Sequence, residues 1–492
     1  MQVLGIDLGT SSVKVILADE RGKVLATATR AYPCEHPRSG WSEQNPEDWY
    51  RESLMGVKEC LASAKADPSS VRAMSFCGQM HGLVVLDEDD TVVRPAILWN
   101  DGRSTQECIY LNEHVGRERL LSWCANIAFP GFTAPKVLWL RRNEANNFAR
   151  MAKLMLPKDY LAYKLTGAFC TDVSDASGTL LFDVRHRRWQ PEMLERCGID
   201  VSALPQVHES YEAVGTLRPD VASVLGLRPE TLVVAGGGDN AVAAVGCGVV
   251  HEGQCLLSIG TSGTVITPSK RFRCEPHAAL HSFADATGGY YLMGCILSAA
   301  SAYTWWNDVL GNSVSKNLER VRLGDNPVMF LPYLMGERSP INDAEARGAF
   351  LGMSLDTHAD QMTQAVMEGV AFALRDSFER TLSTEMDVSE VSLCGGGSRN
   401  ALWVRIVASV LGREVFVLDG ERGPGLGSCI LGLVAAGAYE SVSEACASLP
   451  QEGHRITPDE SAIPRYEEAY ESYRHLYPSL RDFFHERKMM LS

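Results

Sequence analysis

The 492-residue chain lacks a surplus of positive charge: 46 Lys and Arg face 61 Asp and Glu, for a net charge of −15. With a pI near 5.3 it is not a general nucleic-acid binder, which needs a basic field to displace counterions. Cysteine is sparse, 14 of 492 residues. No C-x-x-C occurs, and the two nearest in sequence are Cys247 and Cys255. A disulfide scaffold or zinc site is not indicated, and the expectation is reduced thiols packed as small hydrophobes in a cytoplasmic protein. The opening MQVLGIDLGT carries Asp7 and no basic n-region, so it does not read as a secretory signal. The longest uncharged stretch, Ala286 to Asn307, is broken by Gly288, Gly289, Gly294, Ser298, Ser301 and Thr304. It reads as a buried strand and helix, and no membrane partner is expected. G-x-x-x-x-G-K-[ST] is also missing, which excludes a Walker-type phosphate loop.

What is present is ordinary globular material, 45% hydrophobic and 22% charged, enough for two to four domains. The first thirty residues read as strands: VLGIDLG, a Gly-Thr turn, SSVKVILA, and VLATATRAY after an acidic turn. A helix is expected from about Pro46 to Lys65 with Asn45 as its cap, then strands at VRAMSFCG, LVVLDEDD and PAILWN. Helical pattern dominates from about Gly102 to Leu165. The opening then recurs: LLSIGTSGTVI at 256–266 mirrors GIDLGTSSVKV, with Gly260, Thr261 and Ser262 matching Gly9, Thr10 and Ser11 at a 251-residue offset. Two similar α/β domains facing each other follow, with a boundary near residue 249.

Several turns are suited to chemistry. A carboxylate ending a strand, followed by G-T-S-S, offers N–H groups and hydroxyls to a phosphate. Asp7 is a candidate Mg²⁺ ligand and Lys14 a candidate phosphate cation. The bland alternative is a hairpin with glycine at its bend. In Gly236-Gly237-Gly238-Asp239-Asn240 the carboxylate starts a helix, where the dipole favours its ionised form and suits it to accept a proton. The alternative is an N-cap aspartate. Gly395-Gly396-Gly397-Ser398 is read as a seat for an adenine ring or as a tight βα turn. Gly423-Pro424-Gly425-Leu426-Gly427 is read as closing the same pocket or as helix–helix packing. Gln79-Met80-His81-Gly82 is a candidate polyol site, although a lone His is more often structural. Asn100-Asp101-Gly102-Arg103 is read as a polar cluster or as a cap with a solvated Arg.

Taken in order, GIDLGTSSVKV, GFTAPKVLWLRRNE (131–144), GGGDN, SIGTSGT and RGAFLGMSLDTHADQMTQAVMEGVAFAL (347–374) resemble the FGGY carbohydrate kinases over nearly the whole chain. Lys136 and Trp139 fit one family signature; Gly348, Gly352, Gln361, Ala365 and Glu368 fit the other. The resemblance implies an α/β fold of two ribonuclease-H-like domains, as in actin-like ATPases and sugar kinases, with an interdomain cleft. Residues 1–249 would carry the sugar site, the first phosphate turn and the catalytic Asp; residues 250–492 would bind nucleotide. It implies ATP and Mg²⁺ as cofactors and a small-molecule sugar as substrate. Asp239 would be the base, and Met80, His81, Asp239 and Asn240 would contact the sugar. Thr10, Lys14, Gly260, Thr261 and Thr264 would handle phosphates, with Gly396, Gly397 and Asn400 near the adenosine and Asp7 and Asp239 at the metal. G-Q-M-H-G followed by ILWNDGR resembles the D-xylulose branch; glycerol kinases carry Arg-Glu where Met80-His81 stands. Another pentulose, a pentitol or gluconate are the alternatives within the family, and many of its members are homodimers. An actin-like conformational ATPase is the alternative from another class, sharing the phosphate turns without needing GGGDN.

Overall fold

The computed structural model describes residues 1–311, 322–420 and 422–491. Two seven-stranded sheets form its framework. In the first, strand Gln2–Leu8 runs parallel to Val71–Gly78 and antiparallel to Ser12–Asp19, which pairs with Val24–Ala31. Leu232–Val234 and Gly237–Gly238 both lie parallel to Val71–Gly78. In the second sheet, Gly253–Ile259 runs antiparallel to Gly263–Ser269 and parallel to Val388–Cys394. The repeated G-T-S turn therefore opens the same antiparallel-then-parallel unit twice. The two copies differ where chemistry is expected: Ser258 stands at the 251-residue offset from Asp7.

Alternation along each central strand divides it between two cores, as strands covered on both faces require. Leu4, Ile6 and Leu8 pack with Trp49, Val57 and Leu61 of helix Pro46–Ala64. That helix begins where expected, with Asn45 accepting from the Glu47 amide at 3.1 Å. The opposite face, with Val3, Cys77 and Ile16, packs with Leu426, Cys429, Ile430 and Leu433. These last four belong to helix Pro424–Ala435, far along the chain. In exchange, Ala241, Val242 and Val245 of helix Asp239–Gly246 join Leu256, Ile266, Tyr291 and Met293 of the second sheet. Packing thus crosses the boundary expected near residue 249, because each half lends the other a helix.

The two exchanged helices touch along glycines. A Cβ added to Gly427 would stand 2.0 Å from the Val242 carbonyl oxygen, and one on Gly246 would stand 2.0 Å from that of Gly423. For the Gly423–Gly427 run, the helix-packing reading is therefore the one the structure bears out. Gly427→Val should force the helices apart, at an overpacking cost of about 3 kcal/mol. Thermal unfolding of the purified variant checks this; an unchanged midpoint would show that the contact yields freely.

Candidate active site

Asp7 and Asp239 end up together because their strands are neighbours. Asp7 is in register with Cys77, and Cys77 with Gly237, two residues before Asp239. Gly236 makes the bend at φ +69°, and a Cβ there would meet the Phe76 carbonyl oxygen at 2.2 Å. Only glycine fits. Asp239 then opens helix Asp239–Gly246 as its first residue, with Gly238 in the cap position.

The dipole argument made from sequence does not decide the charge of Asp239. Burial pushes its carboxyl up to about 7, and the Asp7 charge adds to this; hydrogen bonds from Asn240 oppose them. Burial likewise lifts Asp7 to about 6, against the Cys77 thiol and the Lys14 ammonium. An eight-residue helix supplies only a fraction of a charge to offset desolvation. Lys14 lies directly across the hairpin from Asp7.

Asn240, Met80 and Asp239 are in contact. The Asn240 Nδ2 donates to Asp239 Oδ1 at 2.9 Å and approaches the Met80 Sδ at 3.9 Å. His81 sits beside them at φ +70°, a left-handed conformation that costs a histidine free energy. Thr133 Oγ1 and Lys136 Nζ both donate to its carbonyl oxygen, at 3.0 and 2.9 Å, and hold it there. Its Nδ1 lies 2.7 Å from the Gly178 carbonyl oxygen, and its ring stacks on Phe132 at 4.5 Å. Burial, helped by the Arg338 charge, drives the imidazole well below its usual range, so it is neutral. With Nδ1–H given to Gly178, Nε2 is left as an acceptor for a hydroxyl. The second half reaches this pocket too: Phe283 stands 6.5 Å from His81.

The first G-T-S turn is braced from several sides. The Gly9 amide donates to the Ser12 carbonyl oxygen at 3.0 Å. The Gln44 Nε2 donates to the Thr10 carbonyl at 2.6 Å, and Trp99 Nε1 donates to Thr10 Oγ1 at 2.9 Å. The Tyr32 hydroxyl donates to the Gly9 carbonyl. Sequence reasoning missed these supports, since nothing local ties residues 32, 44 and 99 to residue 10. The second turn is held differently. Helix Ala300–Val309 starts on it, with the Ala300 amide donating to the Gly260 carbonyl at 2.8 Å and the Ser301 amide to that of Thr261 at 3.2 Å. Thr264 lies in the following strand, opposite Ser258 and Cys295.

The triple glycine 395–397 has two uses. Cβ atoms on Gly395 or Gly397 would collide with Ile259, at 2.6 and 2.3 Å, whereas one on Gly396 would meet nothing within 4 Å. Gly396 thus presents open backbone, while its neighbours serve packing. Asn400 caps helix Ala401–Leu411, accepting from the Leu402 and Trp403 amides at 3.1 Å each, which leaves its Nδ2 as a donor. For Asn100–Arg103 the polar-cluster reading fits and the solvated Arg does not. Arg103 is buried between Asp101 and Glu43, each at 2.7 Å, and stacks on Trp41 at 3.7 Å. Its side chain does not reach solvent.

Two carboxyls brought together on neighbouring strands, a G-T-S turn repeated at the head of two sheets and a buried histidine reached from both halves are the features of a two-lobed phosphotransferase. Comparison with known proteins gives the particular family. Residues 2–246 match the N-terminal domain, and residues 255–436 the C-terminal domain, of the FGGY family of carbohydrate kinases. The chain belongs to that family. It is 40% identical to the xylulose kinase of Escherichia coli K12, covering 97% of this chain and 99% of that one. It is 35% identical to the xylulose kinase of Bacillus subtilis 168, covering 98% and 97%. A crystal structure of a xyloylose kinase from Brucella ovis superposes with a TM-score of 0.94 at 38% identity, over 98% of this chain and all of that one.

Proposed function

We propose that the protein transfers the γ-phosphoryl group of ATP to a primary hydroxyl of D-xylulose, giving D-xylulose 5-phosphate and ADP. The single observation that carries the chemistry is the contact set Asp239–Asn240–Met80 beside His81, with Asp7 close enough to raise the Asp239 carboxyl. Asp239 accepts the proton of the attacking hydroxyl, and a carboxyl near 7 suits a base working at neutral pH. Met80, His81 and Asn240 orient the sugar. Thr10 and Lys14 on one side and Gly260, Thr261 and Thr264 on the other hold the phosphates. Gly396 and Asn400 receive the adenosine, and Gly397 holds that turn against Ile259. Phosphoryl transfer has a loose transition state, so positioning and charge neutralisation carry most of the acceleration.

Asp7 and Asp239 suit Mg²⁺, which takes one or two carboxylates together with substrate phosphates. The donor set agrees with this: among the described residues no group of three or more acidic, His or Cys side chains forms a full protein cage. Bound there, the ion would neutralise phosphate charge. The two chain halves divide the work, residues 1–249 holding the sugar and the base and residues 250–492 the nucleotide. A cytoplasmic setting suits the fourteen free cysteines.

The test is coupled ADP release across ketoses, aldoses and polyols. D-Xylulose should give the highest kcat/KM, and ADP release should depend strictly on added sugar. Glycerol or gluconate outperforming every pentulose would overturn the substrate assignment.

A further inference from the structure

The loop that carries Asp239 has no side chains of its own to hold it. Gly236, Gly237 and Gly238 precede it, and the helix it opens has no side-chain cap. Its support comes from a distant buried network. The Gly238 amide donates to Ser174 Oγ at 3.0 Å. Ser174 Oγ gives its own proton to Asp172 Oδ2, as does Ser210 Oγ at 2.6 Å, and the Ser174 amide donates to the same oxygen at 2.8 Å. Lys158 Nζ closes the network 2.9 Å from Asp172 Oδ1. Ser210 also grips the loop through its backbone, accepting from the Gly236 amide at 3.0 Å. Lys158, Asp172, Ser174 and Ser210 are all fully buried.

The proton directions are forced. A carboxylate only accepts, so the one hydroxyl proton of Ser174 goes to Asp172, and its lone pair must take the Gly238 N–H. There is no spare room either: a Cβ on Gly237 would stand 2.8 Å from Ser174 Oγ. The hydroxyl and the glycine loop fit one arrangement, which fixes the peptide immediately before Asp239.

We propose that Ser174 is a positioning residue for the phosphoryl-transfer reaction, its hydroxyl locking the Gly238 amide so that the Asp239 carboxylate is aimed at the sugar hydroxyl. This rests on the reading of Asp239 as the base. Ser174 is fully buried and acts through Asp239. Losing it lets the carboxylate drift, and misplacement of about 1 Å can cost about 10²-fold.

The experiment is a double-mutant cycle in steady-state kinetics on the full-length protein, with D-xylulose and MgATP. Ser174→Ala should lower kcat about 10–10²-fold while both KM values stay within about 3-fold. In the Asp239→Asn background, Ser174→Ala should change the residual rate by less than about 2-fold, because the carboxylate through which it acts is already gone. Ser174→Cys keeps the side-chain shape but replaces the oxygen with a larger atom that accepts only weakly. It should show the same kcat loss with unchanged KM, and it serves where the alanine variant does not fold. A kcat within about 2-fold of wild type in a folded Ser174 variant would overturn the proposal, as would an equal loss in both backgrounds. Near-normal turnover in Asp239→Asn alone would instead overturn the base assignment, so the two failures are told apart.

Discussion

Asp239→Asn should lower kcat for sugar phosphorylation by about 10²–10⁴-fold, the usual contribution of a positioned general base. The amide is nearly isosteric and leaves the Gly238 loop intact. Its amide oxygen can still accept from Asn240, but it cannot take a proton from the sugar hydroxyl. ADP affinity, read by calorimetry, should change little, since the groups proposed to hold the nucleotide lie on the Gly260 turn and the 395–397 loop. Near-normal turnover would refute the assignment. The same variant should be more stable without ligands at pH 8. Burial raises the folded-state carboxyl from 3.8 to about 7. The folded protein therefore binds more protons than the unfolded chain between those values, and this group's contribution to stability falls as pH rises through that window. Below about pH 4 both states are protonated and the gain from Asp239→Asn should vanish. Melting curves at pH 4 and pH 8 check the sign. A carboxylate that costs stability in the empty protein is what a site built to meet a cation and a proton should show.

Lys158→Met should cost about 3–5 kcal/mol, the penalty for removing one partner from a buried ion cluster. The Lys158 ammonium lies 2.6 Å from Asp159, 2.9 Å from Asp172 and 3.7 Å from Asp175, with every side chain in the set essentially without solvent exposure. Burial opposes the charge, yet the three carboxyls together hold the ammonium well above its usual range. One cation among three acids leaves Asp175 strained: burial pushes its carboxyl well up, with Asp159, Asp172 and Asp239 adding to the rise. Without the ammonium, the carboxyls must take up protons or repel one another. For a domain of 150–250 residues, the loss corresponds to a melting shift of about 6–20 °C. Scanning calorimetry should show it, and the deficit should shrink toward acid pH as the carboxyls protonate. Asp172→Asn added to Lys158→Met should recover part of the loss. A variant that melts with the wild type would mean the cluster carries no net charge to compensate.

The parts of the site that were legible in the sequence are those where a local pattern has a local physical cause. A strand running into G-T-S leaves amides and hydroxyls exposed wherever it occurs, and the repeat at 251 residues marked both turns. Asn45 before Pro46 is a cap by its own chemistry, and the cap forms. Asp239 after three glycines is singled out by spacing. Arg103 shows where such reasoning fails. A charged residue after Gly102 looks solvated until Trp41, Glu43 and Asp101 close around it. The Gly423–Gly427 run shows the same limit. Gly427 serves contact with helix Asp239–Gly246, and no local feature names that partner.

By itself the sequence determined the two related α/β halves and the family, and it singled out the residues proposed to carry the chemistry. Periodicity, turn chemistry and motif order act over a few residues at a time. The tertiary structure alone decided the exchange of helices between the halves and the brace of Tyr32, Gln44 and Trp99 on the first G-T-S turn. It also decided the Lys158–Asp172–Ser174 support beneath Asp239, whose members lie scattered between residues 158 and 238. The charge of Asp239 belongs with these. The helix dipole is readable from sequence, but desolvation is the larger effect, and desolvation is set by what the rest of the chain packs around a side chain.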